Sequence, residues 1–578
     1  MESNPDPIEL LAPAGNLACL EAALEAGADA VYLGLTGLNA RRHARNFSEG
    51  ELAHACELMH AHGKRVHLTL NIDLCQDELA RAARVLELAS QLEVDAILVR
   101  DPALLALREH FPELPFHMST QGCVASAADV EAARKLGFRR VVLGRELTLE
   151  EIAAASSVPG IETEVFVHGA MCFAVSGRCL LSSWVGGRSG NRGLCTGPCR
   201  VGWLHNGRPV GTPFSMHDLS LVACVNELRA AGVRSMKIEG RMKNPSWVRN
   251  VVALFRKAID GRESPEKLWQ EAKRRGATPG RALTDAYLAG QRTVLTENVV
   301  DDSEEEPSGT TVETADIRIR EGAANLLREA DASTRAPNRM EPDCVRLDAQ
   351  QARDFLEEAQ PKDGAIVEGL DAAHLRALCS AFPRVRMVAA LPAVFYDDSV
   401  PGLEALLAAA AGHGVTVEVN TWGGWFLAQR VGVRMIAGPG LGVLNALAAR
   451  QLHELGMEEV TASVESDALN LEALMSRISV PCSVVVFARP ALMVTRADIP
   501  ARFTEGEMRD RMGAKLRARR AAGVWEWRSS QPFDLRAMSL PPETAHAVVD
   551  LIHSPDALLE WKSSPTQSSH FNMDRVLS

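Results

Sequence analysis

Through roughly the first 260 residues, short apolar runs alternate with longer Ala-, Leu- and Glu-rich stretches of helical period. The runs predict strands at Glu9–Leu11, Ala30–Leu33, Arg65–Asn71, Ala96–Arg100, Phe116–Ser119, Val141–Leu143, Glu164–His168 and Ser235–Glu239. Stretches such as Leu17–Ala26, Glu51–His62, Leu79–Glu93 and Ala127–Leu136 predict helices, with Gly27, Gly63 and Gly137 where helix C-termini favour glycine. Eight strands, each feeding a helix, predict an α/β fold of the TIM-like (β/α)8 type, with a doubly wound open sheet as the alternative. One step is out of proportion: more than sixty residues separate His168 from Ser235. In a barrel this insertion follows strand seven, on the face where barrel active sites lie.

From about Arg262 to Pro342 the pattern fades, and Asp301–Thr311 (DDSEEEPSGTT) reads as an acidic linker. Alternation returns from Cys344, with strands expected at Ala365–Glu368, Val385–Leu391, Val415–Asn420, Arg434–Ala437, Val460–Ser463 and Ser483–Phe487. This second α/β domain reads as a degenerate repeat of the first. HMSTQGCVASAADVEAARKLGF resembles GPGLGVLNALAARQLHELGM, and EVFVHGAMCFAVSG then meets SVVVFARPALMVTR in the same order. The second copy has no Cys at the positions of Cys172 and Cys179, which implies a scaffold kept without its chemistry. The expected division is a barrel over 1–262 with a cysteine loop at 169–230 and a connector over 263–342. A second α/β domain follows over 343–500, then a C-terminal extension over 501–578 ending in the Ser-rich stretch Ser563–Ser578.

Composition excludes little beyond the collagen-like, disordered and disulfide-scaffold classes: 46% of the 578 residues are apolar and 24% charged. No window approaches the roughly 18 apolar residues of a membrane helix. The start, MESNPDPIELLAPAGN, lacks the basic and apolar regions of a secretory signal, so no membrane association and a cytoplasmic location are expected. The net charge of −12 hides a basic stretch. Between Arg188 and Lys257 stand 12 basic residues against Asp218, Glu227 and Glu239, which makes polyanion binding a live reading.

The chemistry concentrates in HGAMCFAVSGRCLLSSWVGGRSGNRGLCTGPCR. Cys172, Cys179, Cys195 and Cys199 form a C-x6-C-x15-C-x3-C array. Four thiolates on one loop suit a [4Fe–4S] cluster or structural zinc; only one pair is short, so the spacing leans toward the cluster without deciding it. Gly186, Gly187, Gly190, Gly193 and Gly197 let the loop fold tightly, and Arg188, Asn191 and Arg192 add donors for an anion. The other eight cysteines read as core.

A barrel would gather polar residues at its upper rim: Asn39 and Arg41, Asn71, Ser119 and Gln121, Arg145 and Glu146, His168, then Lys237, Glu239 and Arg241. Charges there must pair with one another or with a ligand. His168 is the proton-transfer candidate by type, or equally a donor to the cysteine site four residues on. Arg42, His43 and Arg45 read as a solvated basic loop.

The blocks ELLAPAGN, GADAVYLG, HMSTQ, GRELTLEEI, EVFVHGAMCFAVSGRCLLS, GRSGNRGLCTGPCR and GVRSMKIEGRMK resemble the collagenase-like peptidase family, peptidase family 32 of unassigned mechanism. The resemblance runs from about residue 8 to 262. It implies iron–sulfur oxygen-insertion chemistry: branches make 5-hydroxyuridine in tRNA or 5-hydroxycytidine in rRNA, with prephenate as oxygen source, and another assists ubiquinone ring hydroxylation. It also implies Cys172, Cys179, Cys195 and Cys199 as cluster ligands, Cys199 being the least secure because some relatives draw the fourth ligand from elsewhere.

Three functions follow. An RNA pyrimidine hydroxylase is favoured by the basic stretch and by Trp184, Trp203 and Trp247, whose rings could stack on splayed bases. Arg145 and Arg241 are the candidates for binding a co-substrate's carboxylates. A peptidase would need a Cys nucleophile beside His168, since neither G-x-S-x-G nor HExxH occurs. A cluster-bearing accessory protein, acting on another aromatic substrate with a protein partner or as a homo-oligomer, is the third.

Overall fold

The computed structural model describes residues 8–278, 281–285, 287–293, 296, 342–359, 361–511 and 513–565. Eight strands pair in parallel and in chain order: β1 (Glu9–Pro13), β2 (Ala30–Leu33), β3 (Arg65–Leu70), β4 (Ala96–Val99), β5 (Phe116–Met118), β6 (Arg140–Val142), β7 (Glu162–Ala170) and β8 (Ser235–Ile238). Because β8 pairs with both β7 and β1, the ring is closed and the open sheet is excluded. Ser48, Ser126 and Thr148 start helices with reciprocal bonds to Glu51, Asp129 and Glu151, which satisfy exposed N–H groups at each helix start.

Within the ring, alternate side chains face either the helices or the barrel axis. Val66, Leu68 and Leu70 of β3 are fully buried hydrophobes, whereas His67 and Thr69 are buried polar residues. The axis carries a polar network beside a small cluster of Leu11, Ala30 and Tyr32. Arg140 meets Glu9 and Glu164, Ser235 donates to Glu9, Lys237 donates to Glu164 at 2.8 Å, and the His67 and His117 rings stand 5.2 Å apart. Charges buried this deeply are tolerable only when paired, and here each has an opposite partner.

The second half closes a second barrel. Its strands are β9 (Cys344–Asp348), β10 (Gly364–Glu368), β11 (Met387–Ala390), β12 (Thr416–Val419), β13 (Met435–Ala437), β14 (Met457–Thr461), β15 (Cys482–Ala488) and β16 (Thr544–Asp550). β9 and β16 escape the sequence pattern, and β16 pairs with both β15 and β9. The boundary expected at residue 500 is therefore corrected: the barrel runs on to Asp550, because a long insertion again follows strand seven. The first domain likewise outruns residue 262. The helix Pro265–Arg275 buries Leu268 and Ala272, and Leu283–Thr284 pairs with Asp218–Leu219. The acidic run Asp301–Thr311, and the tail beyond residue 565, lie outside the described residues.

The two insertions build one six-stranded sheet, in the order Ala491–Thr495, Val524–Ser529, Lys515–Ala521, Met508–Arg509, Leu204–His205, Arg208–Pro209. The last two strands come from the first barrel's cysteine-bearing insertion. Phe173, Phe214, Trp203 and Trp527 form an aromatic cluster between that insertion and the sheet, with centroids 4.8–5.0 Å apart. Elsewhere the barrels meet through polar helix starts: Asn445 donates to Asp101 at 3.1 Å, Gln76 accepts from Ala446 at 2.8 Å, and Asp129 accepts from the Gly423 N–H at 2.7 Å. Arg519 and Arg528, from the second insertion, fill the mouth of the second barrel against Asp348, Glu368 and Asp550. Among the described residues, no helix is long and apolar enough to cross a membrane.

Candidate active site at the mouth of the first barrel

Glu239, just past β8, is the hub of the rim. Its two oxygens take Arg41 Nε at 3.3 Å and Arg145 Nη2 at 3.0 Å. Burial alone would raise its pKa, but Arg41, Arg145, Arg241 and Lys237 outweigh burial and hold the carboxyl at about 2. Arg145 also donates to the Ala170 carbonyl and lies 3.9 Å over the Phe166 ring. Arg241 donates to Asn39 Oδ1 at 2.8 Å and Thr69 Oγ1 at 3.2 Å. Burial lowers its pKa to about 10. Three guanidiniums against one carboxylate leave this mouth with two excess positive charges.

The loop after β2 carries Asn39 and Arg41 into this cluster. Gly34 makes that possible, since a Cβ there would lie 2.4 Å from Arg241 Nη1 and 2.8 Å from Asn39 Cγ. Asn71 accepts from the Ala40 N–H and donates to Ser119 Oγ, each at 3.1 Å, tying β3 and β5 to the same loop.

The cysteine loop lies directly against this rim. Gly193 (φ +85°) approaches so closely that a Cβ would stand 2.1 Å from the Asn39 carbonyl, and its own carbonyl accepts from Arg42 N–H at 3.1 Å. The second insertion clamps the other side: Val175 and Leu180 N–H donate to Val494 and Leu492, and Thr495 donates to the Phe173 carbonyl. Arg200 joins the ends of the loop through the Met171 carbonyl at 2.6 Å and Ser215 at 3.1 Å.

The four thiols sit within electrostatic reach of one another. Burial, and then the charge of Cys195, push Cys179 well up; burial raises Cys199 to about 12, with Cys195 adding to it. Cys195 is raised by burial against a bond from the Gly197 N–H at 3.4 Å, and Cys172 adds to the rise. Arg41 is raised chiefly by Glu239, against burial, with Cys172 and Cys195 adding to it. One guanidinium thus couples the carboxylate hub to the sulfurs. Among the described residues, no three of these sulfurs lie within 4.8 Å of one another. The donor set, the glycine cradle and the flanking Arg41 and Arg200 fit a thiolate-bound metal group.

Several expected site residues are engaged elsewhere. His168 faces the helix layer: its ring packs on Trp247 and Phe255, Nε2 donates to the Gly276 carbonyl at 3.0 Å, and Nδ1 meets Ser220 Oγ at 3.1 Å. Both nitrogens are occupied, and burial lowers its pKa to about 4. Lys237 sits one layer below the rim, on Glu164 and 4.4 Å from the Tyr32 ring. Glu146 is buried, with one carboxylate oxygen unpartnered, and burial raises its pKa near Arg496 and Arg145 rather than at the hub. Arg192 is locked on Glu78, while Gln121 and Asn191 both accept from Arg100, at 3.3 and 3.2 Å. Arg188 is exposed. Arg42 pairs with Glu78 at 2.9 Å and is half-buried, so the basic loop is only partly solvated.

Much of the basic stretch of the sequence is also paired with acids of the same chain, partly at the surface. Arg249, Arg256 and Lys257 pair with Glu25, Asp29 and Glu271 from distant segments, as Arg192 and Lys237 do with Glu78 and Glu164. Trp203 is fully buried, and Trp247 donates to the Gly276 carbonyl. Sequence reasoning missed Tyr32, His67 and His117. A polar residue at every second position of β3 (Arg65, His67, Thr69) was the available signal. His67, His117 and Glu164 bring three ligand atoms within 4.8 Å, but Lys237 and Arg140 already share that carboxylate, which disfavours an added cation.

Comparison with known proteins places this architecture. The model of peptidase family U32 matches residues 15–298. The tRNA hydroxylation protein P of Escherichia coli is 34% identical over 308 residues, covering 44% of this chain and 68% of its own. The chain belongs to peptidase family U32. An uncharacterized protease of Methanocaldococcus jannaschii is 38% identical over 268 residues, 44% of this chain and 65% of its own length. The 23S rRNA 5-hydroxycytidine C2501 synthase of E. coli is 39% identical over 259 residues, 44% of this chain and 39% of its own. This U32 chain therefore spans less than two thirds of those last two relatives.

Proposed function

We propose that the first barrel hydroxylates a pyrimidine base in RNA, using a [4Fe–4S] cluster held by Cys172, Cys179, Cys195 and Cys199. The observation that carries this reading is the seating of the cysteine loop on the rim, where Gly193 packs on the Asn39 carbonyl and accepts from the Arg42 N–H on either side of Arg41, which bonds Glu239. An anion-binding mouth and a metal-binding loop thereby form one site. Two relatives whose printed names are RNA hydroxylation proteins support the substrate class. Bound there, a cluster supplies iron able to exchange electrons during oxygen insertion.

The protein's own residues bind and orient. Arg41, Arg145 and Arg241 present two excess positive charges, which match a dicarboxylate co-substrate such as prephenate. Glu239 bonds Arg41 and Arg145 and so fixes where those two guanidiniums stand. Asn39, Asn71 and Ser119 fix the loop that carries Arg41. Proteolysis finds no support in the geometry, because His168 faces the helix layer and not the thiols. Nucleoside mass spectrometry of RNA from cells lacking the protein tests the reading. One hydroxylated pyrimidine should vanish, return with the native chain, and stay absent with Arg41→Gln or Cys195→Ser; an unchanged nucleoside profile contradicts it.

A further inference from the structure

The second insertion carries a basic surface that the sequence window at 188–257 does not reveal. Its run KLRARR spans Lys515–Arg520, and five of its arginines, Arg502, Arg509, Arg511, Arg517 and Arg520, are exposed. Arg208, from the first insertion, is exposed on the same sheet. None of these six makes an ion pair with a described residue, whereas Arg519 and Arg528 on the same strands are tied to Asp348, Glu368, Glu526 and Asp550. The pairing register turns Arg509 and Arg517 to one face of the sheet, with Arg511 two residues past Arg509, and turns Arg208 and Arg520 to the other, so a chain of net charge −12 keeps guanidiniums without a described ion partner on both faces.

The sheet adjoins the candidate site. Arg511 reaches to 3.8 Å from a Cβ built at Gly202, three residues beyond Cys199. Arg509 stands opposite Leu204 and Lys515, and Arg208 opposite His205. The Trp527–Phe214–Phe173 stack fixes the sheet to the residue that follows Cys172. Two of the arginines also lie over rings, Arg502 at 4.7 Å from Phe503 and Arg520 at 5.2 Å from the half-buried Trp525.

We propose that the face of this composite sheet bearing Arg509 and Arg517, with Arg511 beside it, is the surface on which the RNA backbone docks, its phosphates meeting these three arginines while the target base enters the first barrel. The proposal rests on the RNA reading above and assigns the second half of the chain its part in it. Arginine suits phosphate because its planar fork donates two parallel hydrogen bonds, and a guanidinium stacked on a ring also offers a platform to an unpaired base.

The test is binding of total tRNA and total rRNA to the full chain across a salt series, for the native protein and for Arg509→Gln/Arg511→Gln/Arg517→Gln. Each lost phosphate contact should flatten the slope of log affinity against log salt by about 0.7–0.9. The variant should therefore bind about 10- to 100-fold more weakly at 0.15 M salt, with a slope reduced by about two or more. Its iron content and unfolding temperature should match the native chain's, since these side chains are exposed and unpaired. A control, Arg353→Gln/Arg430→Gln on the second barrel's outer helices, should leave the slope unchanged. Native binding that the triple variant retains in full overturns the docking surface and leaves the RNA reading standing. Polyglutamate binding as tightly as RNA overturns it in favour of an acidic protein. Absence of RNA binding by the native chain removes both.

Discussion

At the residue scale, single contacts decide which polar groups serve the site. His168 has the right chemistry for proton transfer, yet its ring is walled in by Trp247 and Phe255 with both nitrogens engaged. Burial holds it at about 4, against about 6.5 in an unfolded chain. Between those values the unfolded chain binds the extra proton, so this residue makes stability fall as pH drops from 6.5 toward 4 and adds no slope above 6.5. His168→Gln should flatten that acid-side slope, lower stability at pH 7 by roughly 1–3 kcal/mol, and leave the pH dependence of activity alone. A shifted pH–activity profile with unchanged denaturation would return the residue to an acid–base role. Gly193 offers the opposite case, a residue without functional atoms on which the site depends. Gly193→Ala places a methyl against the Asn39 carbonyl at a positive φ, so the loop must lift off the rim. The expected result is loss of most bound iron with far-ultraviolet circular dichroism unchanged; full retention of iron would show that the close approach is dispensable.

At the element scale, the insertions matter more than the strands they interrupt. The length of the step after β7 was legible in the sequence, and so were the thiols it carries. The second insertion was not, because its strands are short, basic and bridged to Leu204–His205 across about three hundred residues of chain. No local pattern reports such a pairing. The same applies to β9 and β16: the first follows the faded connector, and the second, Thr544–Asp550, arrives after a polar insert in place of the usual helix. At the rim, the structure brings together Arg41, Arg145, Glu239 and Arg241, whose residue types suggested a charged group, but residue types did not tell that Glu146 and Arg192 are turned away from it. Facing direction depends on packing partners such as Arg496 and Glu78, which are remote in sequence. Trp527 is the test at this scale. It is fully buried against Phe214, which packs on Phe173 beside Cys172. Trp527→Ala should cost about 3–5 kcal/mol and speed the release of iron to a chelator. An unchanged release rate would separate the second insertion from the metal loop.

At the scale of the whole molecule, the two barrels share one structure. Buried hydrophobic side chains form one continuous cluster through both, and Asp101 and Asp129 of the first barrel accept from Asn445 and Gly423 of the second. Thermal unfolding followed by calorimetry should therefore show one transition; two well-separated transitions would mean that the barrels stabilise independently. The arrangement also gives a bracing part to the second half, which has no Cys at the positions of Cys172 and Cys179. Its mouth is filled by Arg519 and Arg528, and its insertion braces the working loop of its neighbour.

The central claim, that four cysteines of one loop hold a cluster at a basic barrel mouth, is tested most directly by anaerobic purification of the full chain with iron, sulfide and zinc quantified together. About four irons and four sulfides per chain, lost on replacing any one of Cys172, Cys179, Cys195 or Cys199 by Ser, is the result expected. One zinc per chain with neither iron nor sulfide would contradict it.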